Sequence, residues 1–175
     1  MKKTSCKVRC KMDLLGVSLI FSIMLCSLVG GFTLTYAIVV MPGLSSLNDR
    51  EFIRAFQVAD AVIQNNQPLF MLTWIGSIVS LLSTVFISAV NFGLPQTWLI
   101  VLTSAVYFLG VQGITIAVHL PLNNHLQKVI IEKLSDKAIT EERMRFERKW
   151  NFFNKIRTII SIPVCLLLLV ILSLR

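Results

Sequence analysis

Charge is what this chain lacks. From Ala61 to Gln127, 67 consecutive residues include no Asp, Glu, Lys or Arg, and a soluble domain of 175 residues has no core large enough to hide such a run. A bilayer hydrocarbon core takes about 20 apolar residues per helix. The run therefore holds two spans, with Asn91-Phe92-Gly93-Leu94-Pro95-Gln96 as the turn between them. Hydrophobic residues at 55%, charged residues at 15% and a mean hydropathy of +0.74 exclude a water-facing fold. Cysteine is scarce and unpatterned. Cys6 and Cys10 lie in a basic tail, Cys26 and Cys165 lie inside apolar runs, and none has zinc-ligand or CxxC spacing. The inner pair reads as small buried hydrophobes, and the tail pair suits palmitoylation beside a eukaryotic membrane. No Ser/His/Asp or Cys/His set, phosphate-binding glycine loop or c-type haem motif is present. Neither a metal nor a cofactor is expected.

Nine acidic residues face 17 basic ones, giving a net charge of +8 and a pI near 9.7. With no RNP, zinc-finger or helix-turn-helix signature, no nucleic-acid partner is expected. The basic residues flank membrane spans instead. A basic tail, residues 1–13, precedes a single transmembrane domain, residues 14–175, with spans at about 14–41, 68–90, 97–120 and 157–174. The fold class is all-α: an integral-membrane four-helix bundle with amphipathic helices in its two long connections. The first apolar stretch is too long for a signal-peptide core, so a retained helix is expected. The protein is expected to be multi-pass, with the lipid bilayer as its partner, in a cell inner or plasma membrane.

An even span count puts both termini on one side with the 91–96 turn. The connections Pro42–Gln67 and Pro121–Lys155 then share the other side, where function should lie. Five basic residues in the first twelve argue for a cytoplasmic N-terminus, yet the long-connection side carries eleven Lys/Arg, so orientation stays open. In the first connection Phe52, Phe56, Ala59 and Ile63 recur at helical spacing, with Arg54, Gln57, Asp60 and Gln64 falling away, in a helix begun near Asn48. In the second, one helix is expected from Pro121 to about Leu134. Another is expected from a Thr140 cap, running without a break into the fourth span and kinked at Pro163.

Polar residues inside the hydrocarbon are costly and face the bundle interior. Ser104, Gln112, Thr115 and His119 form such a stripe in the third span, with Tyr107 to one side and Gly110 and Gly113 allowing close helix approach. His119 has the chemistry of a base near neutral pH. His125, six residues on, lies on another face, which argues against a metal-binding pair. On the shared side, Arg157 with Asn154 and Trp150 below it, Gln57 and Asp60 on the first-loop helix, and Asn123-Asn124 after Pro121 converge over an apolar bundle. The plain structural alternative is an interfacial network in which Trp150 belongs to the aromatic belt and Arg157 snorkels.

Read in order, Met41-Pro42-Gly43-Leu44, Phe56-Gln57, Asn65-Asn66-Gln67-Pro68 with Phe70, Tyr107 with Gly110, Thr115, Pro121-Leu122-Asn123-Asn124, and Trp150 with Asn154 and Arg157 resemble the anthrone-oxygenase-like family of small membrane proteins. The resemblance implies a four-helix membrane domain. For characterised relatives it also implies cofactor-independent oxidation of anthrones to anthraquinones by O₂. The chain departs from the family pattern at Asp60 and His119, where Asn is usual, and at Phe153, where a second Trp is common. The expected site is catalytic at His119, Asp60 and Arg157. Gln57, Tyr107, Thr115, Asn123, Asn124, Trp150 and Asn154 would bind a small aromatic or apolar ligand. The rival expectation is a non-enzymatic membrane protein, either a partner subunit or a lipid or quinone binder.

Overall fold

The computed structural model describes residues 13–175. The tail before Asp13, with Cys6 and Cys10 and their proposed palmitoylation, lies outside the described residues. Five helices follow: α1 (Leu14–Ser45), α2 (Asp49–Gln64), α3 (Pro68–Phe92), α4 (Thr97–Gln127, its first turn opening at Leu94) and α5 (Asp136–Ser173). All but α2 are long and apolar enough to cross a membrane, and no strand occurs among the described residues. The protein is an all-α membrane protein.

The four long helices form a ring in the order α1, α3, α4, α5, because α1 and α4 each pack against both α3 and α5. Leu19, Cys26, Val29, Leu81, Tyr107, Val111 and Leu168 fill its centre. Leu82, Phe86, Leu109, Ile159 and Leu166 point outward, as a lipid-facing surface requires. Close approach rests on Gly110, where an added Cβ would lie 2.7 Å from Ile160 Cδ1 of α5, and on Gly30, where it would lie 2.9 Å from Ser161 Oγ. At Gly113 a Cβ would meet only the Phe108 carbonyl of its own helix, at 3.3 Å. At one end of the ring Arg175 Nη2 donates to Asp13 Oδ2 at 2.7 Å, and its guanidinium lies 5.7 Å from the Phe92 ring centroid. Both ends of the described chain and the 91–96 turn therefore share that end. The Gly16 N–H, with Arg175 beside it, holds the Asp13 carboxyl below its ordinary pKa.

At the other end α2 lies across the bundle, capped by Asn48, whose Oδ1 accepts from the Glu51 N–H at 3.0 Å. Its buried face is Phe52, Ile53, Phe56 and Asp60, whereas Ala59 is exposed and Ile63 half-buried. Asp60 was expected to point away, and it is instead buried because three side-chain amides supply donors to its carboxylate. The second connection differs from expectation in two ways. Pro121 does not begin a helix, since α4 runs through it to Gln127. Thr140 is not a cap: Ser135 caps α5, and the Thr140 hydroxyl donates to Asp49 and to the Asp136 carbonyl. α5 continues unbroken through Pro163 into the membrane.

Continuity through Pro121 has a local cause. The backbone widens into π-helical turns at Tyr36–Val40, Phe108–Gly113 and Thr115–His119. The Met41 N–H bonds back five residues to the Tyr36 carbonyl, and the Leu120 N–H does the same to Thr115. Pro42 and Pro121 follow directly. A proline ring crowds the carbonyls of the preceding turn and lacks an N–H, and a wider turn relieves the crowding.

Two arginines lash the connections together. Arg143 of α5 donates to the carbonyls of Ser45 and Leu47 and to Asp49, and lies 4.6 Å from the Phe52 ring centroid. Arg50 of α2 donates to the carbonyls of Ile131 and Leu134 and to Asp136. The Thr140 hydroxyl and the Arg143 guanidinium together hold the Asp49 carboxyl below its ordinary pKa.

Candidate functional site

Beneath α2 the four long helices enclose a cavity of about 370 Å³, within the usual range for a small-molecule pocket. Aromatic side chains form most of its walls: Phe32 and Tyr36 from α1, Phe56 from α2, Phe70 and Trp74 from α3, and Trp150 from α5. Asp60, Thr115, His119, Asn123 and Arg157 supply polar groups.

Arg157 is the centre of the arrangement. It is 4% exposed, its Nε donates to Asn154 Oδ1 at 2.9 Å, and its Nη1 donates to Thr115 Oγ1 at 3.1 Å. Asn154 is anchored in turn, donating to the Thr33 carbonyl at 3.0 Å. A guanidinium has five N–H donors, so three remain without a protein acceptor, and no carboxylate among the described residues pairs with Arg157. The countercharge expected from Asp60 is not delivered, because that carboxylate faces Gln64, Asn123 and Gln127. Two indoles flank the guanidinium instead, with Trp74 and Trp150 at 5.8 and 5.7 Å.

Each indole is held by a carboxamide. Trp74 Nε1 donates to Gln112 Oε1 at 2.8 Å, Gln112 Nε2 donates to the Tyr107 hydroxyl at 3.0 Å, and that hydroxyl donates to Ser77 Oγ at 2.8 Å. On the other flank, Trp150 Nε1 donates to Asn123 Oδ1 at 3.1 Å, and Asn123 Nδ2 donates to Asp60 Oδ1 at 2.7 Å. Gln127 and Gln64 complete the Asp60 carboxylate at 3.0 and 2.6 Å. These chains fix the ring planes on both sides of the arginine.

His119 differs from every other polar group in the walls. It is 2% exposed, and neither ring nitrogen has a hydrogen-bond partner, though the ring packs edge-to-face on Trp150 at 5.1 Å. A buried group left unsatisfied costs about 1–3 kcal/mol, and such an orphan needs a reason. Ser104, lower on the same helix, also lacks a partner, but it sits away from the cavity.

Of the residues singled out in the sequence, the fold brings Asp60, Thr115, His119, Asn123, Trp150 and Arg157 to the cavity wall. Asn154 is fully buried behind Arg157, and Tyr107 is fully buried behind Gln112. Gln57 faces elsewhere, donating to the carbonyls of Leu126 and Val129 and so closing the C-terminal end of α4. Asn124 is exposed beside Asn123. Phe32, Tyr36, Phe70 and Trp74 were not foreseen. The signal that could have found them is the Phe70 to Trp74 spacing of one helical turn, with rings stacked at 5.1 Å.

A family model described as anthrone oxygenase matches residues 70–167, more than half of the chain, and the chain belongs to that family. No curated protein and no solved structure matches it. The matched segment contains Trp74, Gln112, Thr115, His119, Asn123, Trp150, Asn154 and Arg157, while Phe32, Tyr36 and Asp60 lie before it.

Proposed function

We propose that this protein binds an enolisable phenolic or polycyclic ring compound in the aromatic cavity and oxidises it with O₂, from within a cell inner or plasma membrane. The observation that carries the reading is the Arg157 guanidinium, buried without a countercharge between Trp74 and Trp150 with donors to spare. Such a charge is costly to hold in a low-dielectric site. It becomes favourable when an anionic oxygen arrives, and an enolate is an anionic oxygen on a flat ring.

The chemistry follows the family. Loss of an acidic C–H proton gives the enolate, whose oxygen Arg157 would stabilise, as donors aimed at developing charge do. One electron passes from the enolate to O₂, and the resulting pair combines to a carbon–oxygen bond, giving a peroxide. Loss of water from that peroxide leaves a carbonyl, so one CH₂ and one O₂ become one C=O and one H₂O. His119 is the base we assign, since neither nitrogen has a partner, whereas both Asp60 oxygens are engaged by amides. Asp60 then acts through Asn123 on Trp150 as a positioning residue.

Incubating purified protein with an anthrone and following quinone absorbance tests the reading. A rate above the protein-free control, lost in His119→Ala and Arg157→Met, supports it, and a rate equal to the control removes this substrate. Binding without turnover is the second reading. It is favoured by the near-complete coverage of the His119 ring. Ligand-dependent thermal stabilisation with no quinone formed would select it.

A further inference from the structure

The cavity has a second property that the chemistry does not use, which is where it opens. α3 and α4 are tightly paired near their turn, where Ser88 and Thr97 hydroxyls meet at 3.0 Å. Past Tyr107 the two helices separate, and the Trp74–Gln112 hydrogen bond spans the space between them. The edges of that gap are Ile75 on α3 and Ile116 and Leu120 on α4, which line the cavity while being 50%, 62% and 48% exposed. On either side stand Leu72, Val79 and Leu109, also exposed and apolar. This face lies within two helices apolar enough to cross a membrane, so it meets acyl chains and not water. The inner end of the same cavity holds the unpaired Arg157.

We propose that the site takes its ligand sideways from the bilayer, through the gap between α3 and α4, and that its substrates are flat, membrane-dissolved ring compounds carrying one acidic oxygen. This rests on the Arg157-centred reading for the ligand class, but the opening to lipid stands on Ile75, Ile116 and Leu120 alone. An apolar ring crosses the apolar edge without desolvating anything, and its single oxygen is the end that reaches Arg157. A ring compound with charges at both ends would have to drag one of them past Ile116.

Two measurements on the full chain in lipid nanodiscs test the proposal. In the first, the quenching of tryptophan fluorescence by dihydroxyanthraquinone, a non-reacting product-like probe, is followed by stopped flow. Ile116→Trp should slow association and dissociation together by about tenfold while affinity stays within about threefold, because a gate changes rates and leaves the bound contacts alone. Ile75→Ala should speed both. Unchanged rates in the two variants overturn lateral access. In the second, Trp98→Phe with Trp150→Phe leaves Trp74 as the reporter. Brominated acyl chains should quench it more strongly than aqueous acrylamide, and the opposite order overturns the opening to lipid. If the wild-type protein does not bind the probe, the ligand class and the Arg157 reading both fall, and the Trp74 quenching order still decides where the cavity opens.

Discussion

Replacing Arg157 with methionine asks whether the guanidinium serves the fold or the ligand. The side chain is 4% exposed, makes two hydrogen bonds and lies near two indoles. Hydrogen bonds to a charged group contribute about 1.5–3 kcal/mol each, and a desolvated cation–π contact up to about 2 kcal/mol. Together these amount to several kcal/mol. Burying an unpaired ion costs a similar several kcal/mol, so the two sides nearly cancel. Methionine removes the ion and fills much of its space. The acceptor it abandons on Asn154 costs about 1–3 kcal/mol, while Thr115 keeps its bond to the Val111 carbonyl. Arg157→Met should therefore melt in detergent within a few degrees of wild type, at about 2–4 °C per kcal/mol for a chain of this size. Binding of an anionic ring compound should fare much worse. Losing one partner of a buried charge pair costs about 2–5 kcal/mol, which weakens binding about 30-fold or more. Arg157→Lys keeps the charge and loses the planar fork, so it should fail in ligand binding almost as badly. The reasoning is refuted if Arg157→Met lowers the melting temperature by 10 °C or so, or if Arg157→Lys binds and melts like wild type, which would make Arg157 a snorkelling anchor.

Gln112→Leu removes the acceptor of Trp74 Nε1 and should lower turnover of an anthrone more than Tyr107→Phe, which leaves the Trp74–Gln112 bond in place; comparing kcat in the two variants checks the order. Gly110→Ala would set a methyl 2.7 Å from Ile160 Cδ1 and 2.8 Å from its Cγ2, a clash of about 1–3 kcal/mol that Ile160→Ala should relieve in a thermal melt of the double variant. The Asp49 carboxyl, held below its ordinary value by Thr140 and Arg143, contributes stability that is present above the unfolded pKa of about 3.9 and is lost as pH falls through the lower folded value. Proteolysis of the segment between α1 and α3 should thus accelerate only in acid, and Asp49→Asn should show the acid pattern at neutral pH.

The spans were legible because lipid imposes one rule on every residue of a long apolar run, and the run from Ala61 to Gln127 has no exception to it. The α2 start was legible for a local reason, an Asn cap ahead of an acidic first turn. Where expectation failed, tertiary partners had changed the local preference. Asp60 reads as a solvent residue until Asn123 and Gln127, more than sixty positions away, are brought to it. Pro121 reads as a helix start unless the preceding turn is widened. Thr140 reads as a cap until Ser135 takes that place. Arg157, Asn154 and Trp150 could be found because polar groups at the hydrocarbon edge are rare enough to notice. Phe32, Phe70 and Trp74 could not, since an aromatic side chain in a span looks the same whether it faces lipid, core or cavity.

The widened turns at Tyr36–Val40 and Thr115–His119 divide the molecule in a way that bears on how it varies. Each wide turn absorbs about one extra residue, which rotates everything beyond it by about 100° relative to an uninterrupted helix. The lower half of the bundle, packed around Leu81, Tyr107 and Leu168, and the upper half, which presents Tyr36 and His119 to the cavity, are thus phased independently along the same two helices. Side chains around the ligand can be exchanged, or the ring rotated by deleting one residue of a wide turn, without repacking the membrane-spanning base. A lineage could retune what the cavity accepts while inheriting its insertion and stability unchanged.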